Sequence, residues 1–139
     1  MSAPYLLDTD TCIYLINRRT GFERLLEHLE TLAYGDVLIS SISAAELEFG
    51  IAKSHRGAAN RNRYTLFMAR FEIALFDENA ASRYGPLRAT LETAGTPIGP
   101  LDTLIAAHGL ALNATLITNN VREFSRVENL KIENWFADI

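Results

Sequence analysis

The feature that most constrains this chain is a spacing. Very short, mainly apolar runs, YLLD at 5–8, VLIS at 37–40 and TLIT at 115–118, stand far apart, and the stretches between them are several times longer and amphipathic. Short apolar runs of this kind belong to strands covered on both faces, and long connections of helical period supply the covers. Short strands alternating with longer helices give an α/β class with a mostly parallel sheet flanked by helices.

The intervening stretches carry their own signals. A helical segment around CIYLIN follows the first run, and Phe22, Leu25, Leu26, Leu29 and Leu32 then predict a helix over Gly21 to Ala33, with Glu23, Glu27 and Glu30 facing water. In SISAAELEFGIAKS the period turns helical again, and Ser43 with Glu46 forms a capping-box pattern at its start. A break at HRGAAN separates this helix from another through YTLFMARF, so the pair reads as a helical hairpin. EIALF is a further strand candidate. Glu78 to Ala94 reads as helical, with the Gly85-Pro86 pair expected to bend the chain or restart the helix. GTPIGPLD is a connection with room for only a very short strand, followed by a helix from Leu101 to Leu112, a helical turn near VREF and a last strand around NLKIEN. No repeat or low-complexity tract divides the 139 residues, and one domain over 1–139 is expected.

Composition narrows the class. With 48% hydrophobic residues and a net charge of −4 the chain can bury a core and is not of disordered type. The single cysteine, Cys12, rules out an intramolecular disulfide and any multi-cysteine metal centre, and its place beside an apolar turn reads as buried bulk. No apolar run has the length of a membrane span and the start lacks signal-peptide features, so a cytoplasmic protein without a membrane association is expected.

Four positions carry the candidate chemistry. Asp8 directly follows an apolar strand, at the end where open α/β sheets bind ligands. Asp10 lies two residues on, Glu46 sits at the start of the next helix-bearing segment, and Asp102 opens DTLIAAHGLAL. Each has a structural alternative: Asp8 and Asp102 as helix-terminal acids, Glu46 as a capping-box partner. Together they stand at strand ends or helix starts that can converge on one crevice, where Mg2+ or Mn2+ would offset their repulsion. The chemistry this implies is phosphodiester hydrolysis, with the ion activating water and polarising the phosphoryl group. After TLIT, the sequence TNNVREF brings Thr118, Asn119, Asn120 and Glu123 to the same edge, Thr118 as a site hydroxyl or a helix cap and Glu123 as a direct or water-mediated contributor.

Other residues read as structural or as substrate contacts. His108 falls on the stripe Leu101, Leu104, Ile105, His108, Leu112 and is read as a hydrogen-bonded packing histidine. Arg56, Arg61, Arg63 and Arg70 can meet RNA phosphates, an acidic partner segment or solvent. Tyr34, Phe49, Tyr64, Phe67, Phe71 and Trp135 are read as core or subunit-interface residues.

The combination LLDTDTCIYLIN, SAAELEFGIAKS, IGPLDTLIAAHGLALNATLITNNVREF and NLKIENW resembles the PIN-domain ribonuclease toxins of the VapC type along essentially the whole chain. The resemblance implies a PIN-like three-layer domain with a five-stranded parallel sheet, a homodimer, and inhibition by a VapB-like antitoxin whose C-terminal segment enters the active-site groove. It implies Mg2+- or Mn2+-dependent RNA cleavage, with Asp8, Glu46 and Asp102 as metal-site acids. The family's fourth acid falls on Asn120, and Glu123 is expected to supply the missing charge. TNNVREF and NLKIENW resemble the branch that cleaves initiator tRNA in its anticodon stem-loop; Asp10 and Leu101 depart from residues common in that branch. Two rival readings remain at this point: a haloacid-dehalogenase-like phosphatase, in which DTDT makes Asp8 the nucleophile and Asp10 the acid or base, and a noncatalytic protein-binding module.

Overall fold

The computed structural model describes residues 3–136. Five strands, β1 (Tyr5–Leu7), β2 (Val37–Ser40), β3 (Glu72–Ala74), β4 (Thr115–Ile117) and β5 (Lys131–Glu133), pair in the order β3-β2-β1-β4-β5 with every pairing parallel. Seven helices connect them among the described residues: α1 (Thr9–Ile16), α2 (Phe22–Glu30), α3 (Ser41–Ala52), α4 (Gly57–Met68), α5 (Glu78–Thr93), α6 (Pro100–Leu112) and α7 (Val121–Phe124). The expected three-layer α/β architecture is the one observed.

Strand alternation sorts the core into two layers. Leu6 pairs in register with Leu38 and Leu116, and this row packs with Leu91 of α5, Ile105 and Ala106 of α6 and Phe124 of α7. The next row, Leu7 with Ile39 and Ile117, turns to the opposite face and packs with Cys12 and Leu15 of α1, Leu25 and Leu29 of α2, Leu47 of α3 and Phe67 of α4. Each fully buried aliphatic side chain in these rows contributes roughly 1.5–3 kcal/mol relative to exposure. One residue further along, Asp8 and Thr118 follow β1 and β4 and Ser40 ends β2, so alternation returns them to the Leu6 face. All three are buried. The sheet thus ends in a row of polar groups.

Three local expectations need correction. The capping box is not formed: Ser40 is the N-cap of α3 and accepts from the Ile42 amide, so Ser43 lies inside the first turn and is buried. A hydroxyl at the strand's last residue reaches the free amides first, and Glu46 is left without a capping duty. Gly85-Pro86 neither restarts nor ends α5, which runs unbroken from Glu78 to Thr93 behind the Asp77 cap. Ser82, Gly85 and Pro86 are exposed, so water can serve the carbonyl that proline leaves without a donor. No strand forms in 95–99; Gly99 caps α6 with Pro100 in its first turn. Of the aromatic set, Phe67, Phe71 and Trp135 are buried and Tyr64 is half-buried, whereas Tyr34 and Phe49 are exposed and take no part in the core.

Candidate active site

The strand order reverses at β1. The chain runs outward from β1 to β2 and β3, then returns to place β4 on the other side of β1, which makes the β1–β4 boundary the switch point where an open α/β sheet leaves a crevice beyond its strand ends. Asp8 leaves β1 there, and its amide donates to the Ile117 carbonyl of β4 at 3.1 Å.

Asp8 does two jobs locally. Its Oδ1 accepts from the Thr11 amide at 2.8 Å and caps α1, which is the structural alternative read from the sequence. It is only 4% exposed. Burial drives its pKa up, while hydrogen bonds from Thr11 and Thr118 pull it down. Thr118 is fully buried and also accepts from the Asn120 amide at 2.9 Å, so it is both a turn-forming hydroxyl and a support for Asp8.

Glu46 reaches the site from α3. Its Oε1 lies 2.7 Å from Thr9 Oγ1, which donates to it, and Ser43 Oγ lies 2.9 Å from the same hydroxyl. Thr9 and Ser43 escaped the sequence reading because the contacts span 34 and 37 positions. The only available signal was that Thr9 adjoins Asp8.

Asp102 sits in the first turn of α6, yet Gly99 is the N-cap and no side chain caps the helix. Its carboxylate is free of capping. The Asp102 pKa is pushed up to about 6, first by burial and then by the charges of Asp8, Glu46, Glu123 and Asp10. Acids from three other helices and one strand end therefore act on Asp102. Asp10 itself is exposed on the first turn of α1. Asn120 Nδ2 donates to Glu123 Oε2 at 3.1 Å, tying the residue at the fourth-acid position to the glutamate expected to compensate for it.

The donor chemistry fits a hard divalent cation: the half-buried Asp102 carboxyl stands in the field of Asp8, Glu46 and Glu123, whose negative charges raise its pKa, and a cation would offset that repulsion. Among the described residues no three acids, histidines or cysteines close into a ready-made cage.

His108 is buried, as expected for a packing histidine, and Cys12 is fully buried with its thiol pKa raised well above the ordinary value by burial. Among the arginines, Arg61 is engaged by Glu48, with Nη1 donating to Oε2 at 2.7 Å.

A parallel sheet with acids gathered near its switch point places the chain among α/β proteins whose ligand crevice lies beyond the strand ends and carries negative charge. Comparison with known proteins narrows the class. Residues 5–130 match the PIN domain family. Ribonuclease VapC2 of Rickettsia felis is 44% identical over 132 residues, covering 94% of this chain and 97% of that protein. The tRNA(fMet)-specific endonuclease VapC of Salmonella typhimurium is 37% identical over 131 residues with the same coverage of both chains. The crystal structure of DNA-bound VapBC from Salmonella typhimurium superposes with a TM-score of 0.90 at 36% identity, covering 96% of this chain and 99% of that one. The chain belongs to the PIN-domain family, as a VapC-type ribonuclease toxin of a VapBC toxin-antitoxin system. Membership sets aside the phosphatase reading and the noncatalytic module.

Proposed function

We propose that this ribonuclease cleaves initiator tRNA in its anticodon stem-loop, with Mg2+ or Mn2+ held through Asp8, Glu46 and Asp102. The observation that carries the metal assignment is Asp102, whose carboxyl is half-buried in the field of Asp8, Glu46 and Glu123. A bound cation would supply charge compensation, activation of water and stabilisation of the leaving oxygen. Around it, Thr118 orients Asp8, Thr9 orients Glu46, and Asn120 holds Glu123, which adds negative charge where the fourth acid is lacking. The substrate assignment is supported by likeness to the tRNA(fMet)-specific enzyme of Salmonella typhimurium. Arg18, Arg63 and Arg70 line a groove with Leu15, Leu66 and Phe67 and offer positive charge to RNA phosphates.

A VapB-like antitoxin fits the apolar groove that leads away from Glu46, about 260 Å³ in volume and lined by Ile13, Ile16, Leu47, Ile51 and Tyr64. A segment seated there would cover the acids and block RNA. The Salmonella VapBC structure, which is bound to DNA, supports assembly with an antitoxin on DNA. We infer a homodimer within a toxin-antitoxin hetero-oligomer in the cytoplasm, where the tRNA substrate resides. No helix among the described residues is long and apolar enough to cross a membrane.

The test is cleavage of a purified tRNA pool by the free chain with Mn2+ or Mg2+, against a chelator control. Loss of initiator tRNA alone, at one internal site and only with metal, is expected. Cleavage of a different tRNA would overturn the substrate assignment, and undiminished cleavage in chelator would overturn the metal assignment.

A further inference from the structure

Glu46 and Asp102 are carried by neighbouring helices. α6 buries Ile105 and Ala106 on the Leu6 face, where α3 also packs Ile42, while α3 buries Leu47 on the opposite face. Apolar contact is non-directional and tolerates sliding, and a directional contact adds an axial reference. His108 Nδ1 of α6 lies 2.8 Å from Ser40 Oγ at the end of β2, a buried contact between residues 68 apart in sequence.

Ser40 Oγ also accepts from the Ile42 amide at 3.0 Å and caps α3, so one hydroxyl joins the α3 N-terminus to the imidazole, its second lone pair and its hydrogen both being open to Nδ1. Nε2 of the ring makes no hydrogen bond of ordinary geometry with any described residue. Phe76 packs edge-on to the ring at 5.4 Å and holds its plane. Burial lowers the His108 pKa, with Asp77 and the Leu75 carbonyl opposing, which favours the neutral ring.

The placement has a consequence for the site. Ser40 precedes Glu46 by six residues and Asp102 precedes His108 by six, each a helical span of about 9 Å. The bond joins these two rigid arms at one end, with an acid on each. We propose that His108 is a positioning residue that, through Ser40, sets the spacing of Glu46 and Asp102 and hence the affinity of the site for its divalent cation. This rests on the metal reading above. His108 is buried and acts through Ser40. Breaking a supporting contact behind metal ligands characteristically weakens affinity by about 10- to 100-fold.

The experiment is Mn2+ titration of the full chain, followed by electron paramagnetic resonance well below the melting temperature, together with the shift in melting temperature that Mn2+ induces. His108→Leu, which removes the contact, is expected to weaken Mn2+ binding about tenfold and to shrink the induced shift. His108→Asn, whose amide can stand at the Nδ1 position, is expected to restore affinity to within about twofold, a recovery of geometry that loss of core volume would not allow. With saturating Mn2+, His108→Leu should cleave RNA at near wild-type kcat. Should His108→Leu fail to fold, Ser40→Ala carries the same test by deleting one hydroxyl. Wild-type affinity in folded His108→Leu or Ser40→Ala would overturn the inference while leaving the metal reading intact. Absence of Mn2+ binding by the wild type would overturn the metal reading and this inference with it.

Discussion

Thr9 Oγ1 donates to Glu46 Oε1 across 2.7 Å, so the residue that follows the first acid in the chain orients the second one in space. Asp8 and Glu46 are thereby coupled through a single backbone step.

Replacing Thr9 with valine keeps the shape and removes the hydroxyl. Metal-dependent RNA cleavage should fall by about tenfold or more, while Thr9→Ser keeps most of it. Single-turnover cleavage rates of the three proteins check this, with circular dichroism to verify the fold. Equal rates for valine and serine would show that the contact does not orient Glu46.

Asp8 combines capping with chemistry, and the two separate by substitution. Asn caps helices as well as Asp, so Asp8→Asn should retain or gain stability, because a buried charge is removed. Cleavage should nonetheless drop by about 100-fold or more, as expected when a metal-holding carboxylate is lost. Asp8→Ala should lose both activity and about 1 kcal/mol of stability. Urea denaturation and cleavage assays on both variants distinguish the roles.

The acidic cluster gives the metal-free protein a pH dependence. Asp102 titrates near 3.8 when unfolded and at about 6 when folded, so the folded state holds the proton more tightly. Its contribution to stability is most favourable below pH 3.8 and is lost as pH rises through about 6. In chelator, the difference in melting temperature between Asp102→Asn and wild type should therefore widen in favour of Asp102→Asn from pH 4.5 to pH 7.5. Added Mn2+ should stabilise the wild type and not Asp102→Asn. A difference independent of pH would contradict the raised pKa.

Gly109 of α6 packs close against Leu130 and against Leu6 of β1. A Cβ there would stand 3.1 Å from Leu130 Cδ1 and 3.8 Å from Leu6 Cδ2. Alanine needs only a small shift of the Leu130 tip and gains helix propensity, so its effect should stay within about 1 kcal/mol. Valine overfills the gap and should destabilise by about 1–3 kcal/mol. Chemical denaturation of the two variants checks the ordering.

The sequence by itself determined the elements and their class. The short, mainly apolar runs at 5–7, 37–39 and 115–117 were legible as strands, each with buried residues at adjacent positions, and the connecting helices followed from the spacing of residues such as Leu25 and Leu29. Asp8 and Asp102 were legible as site candidates because strand ends and helix starts are local features, and alternation sends Asp8 to a definite face. Local signals also misled. The Ser43 and Glu46 pattern matched a capping box, but Ser40 had already taken the cap, and Gly85-Pro86 was expected to bend the chain or restart the helix where solvent exposure let it run on without a restart. What only the tertiary structure decided are the contacts that orient the acids, Thr9 to Glu46 and Ser40 to His108, across 37 and 68 positions. Hydrogen bonds depend on fractions of an ångström and on direction, and those are set when the strands take their parallel register and the layers pack, not by any spacing along the chain.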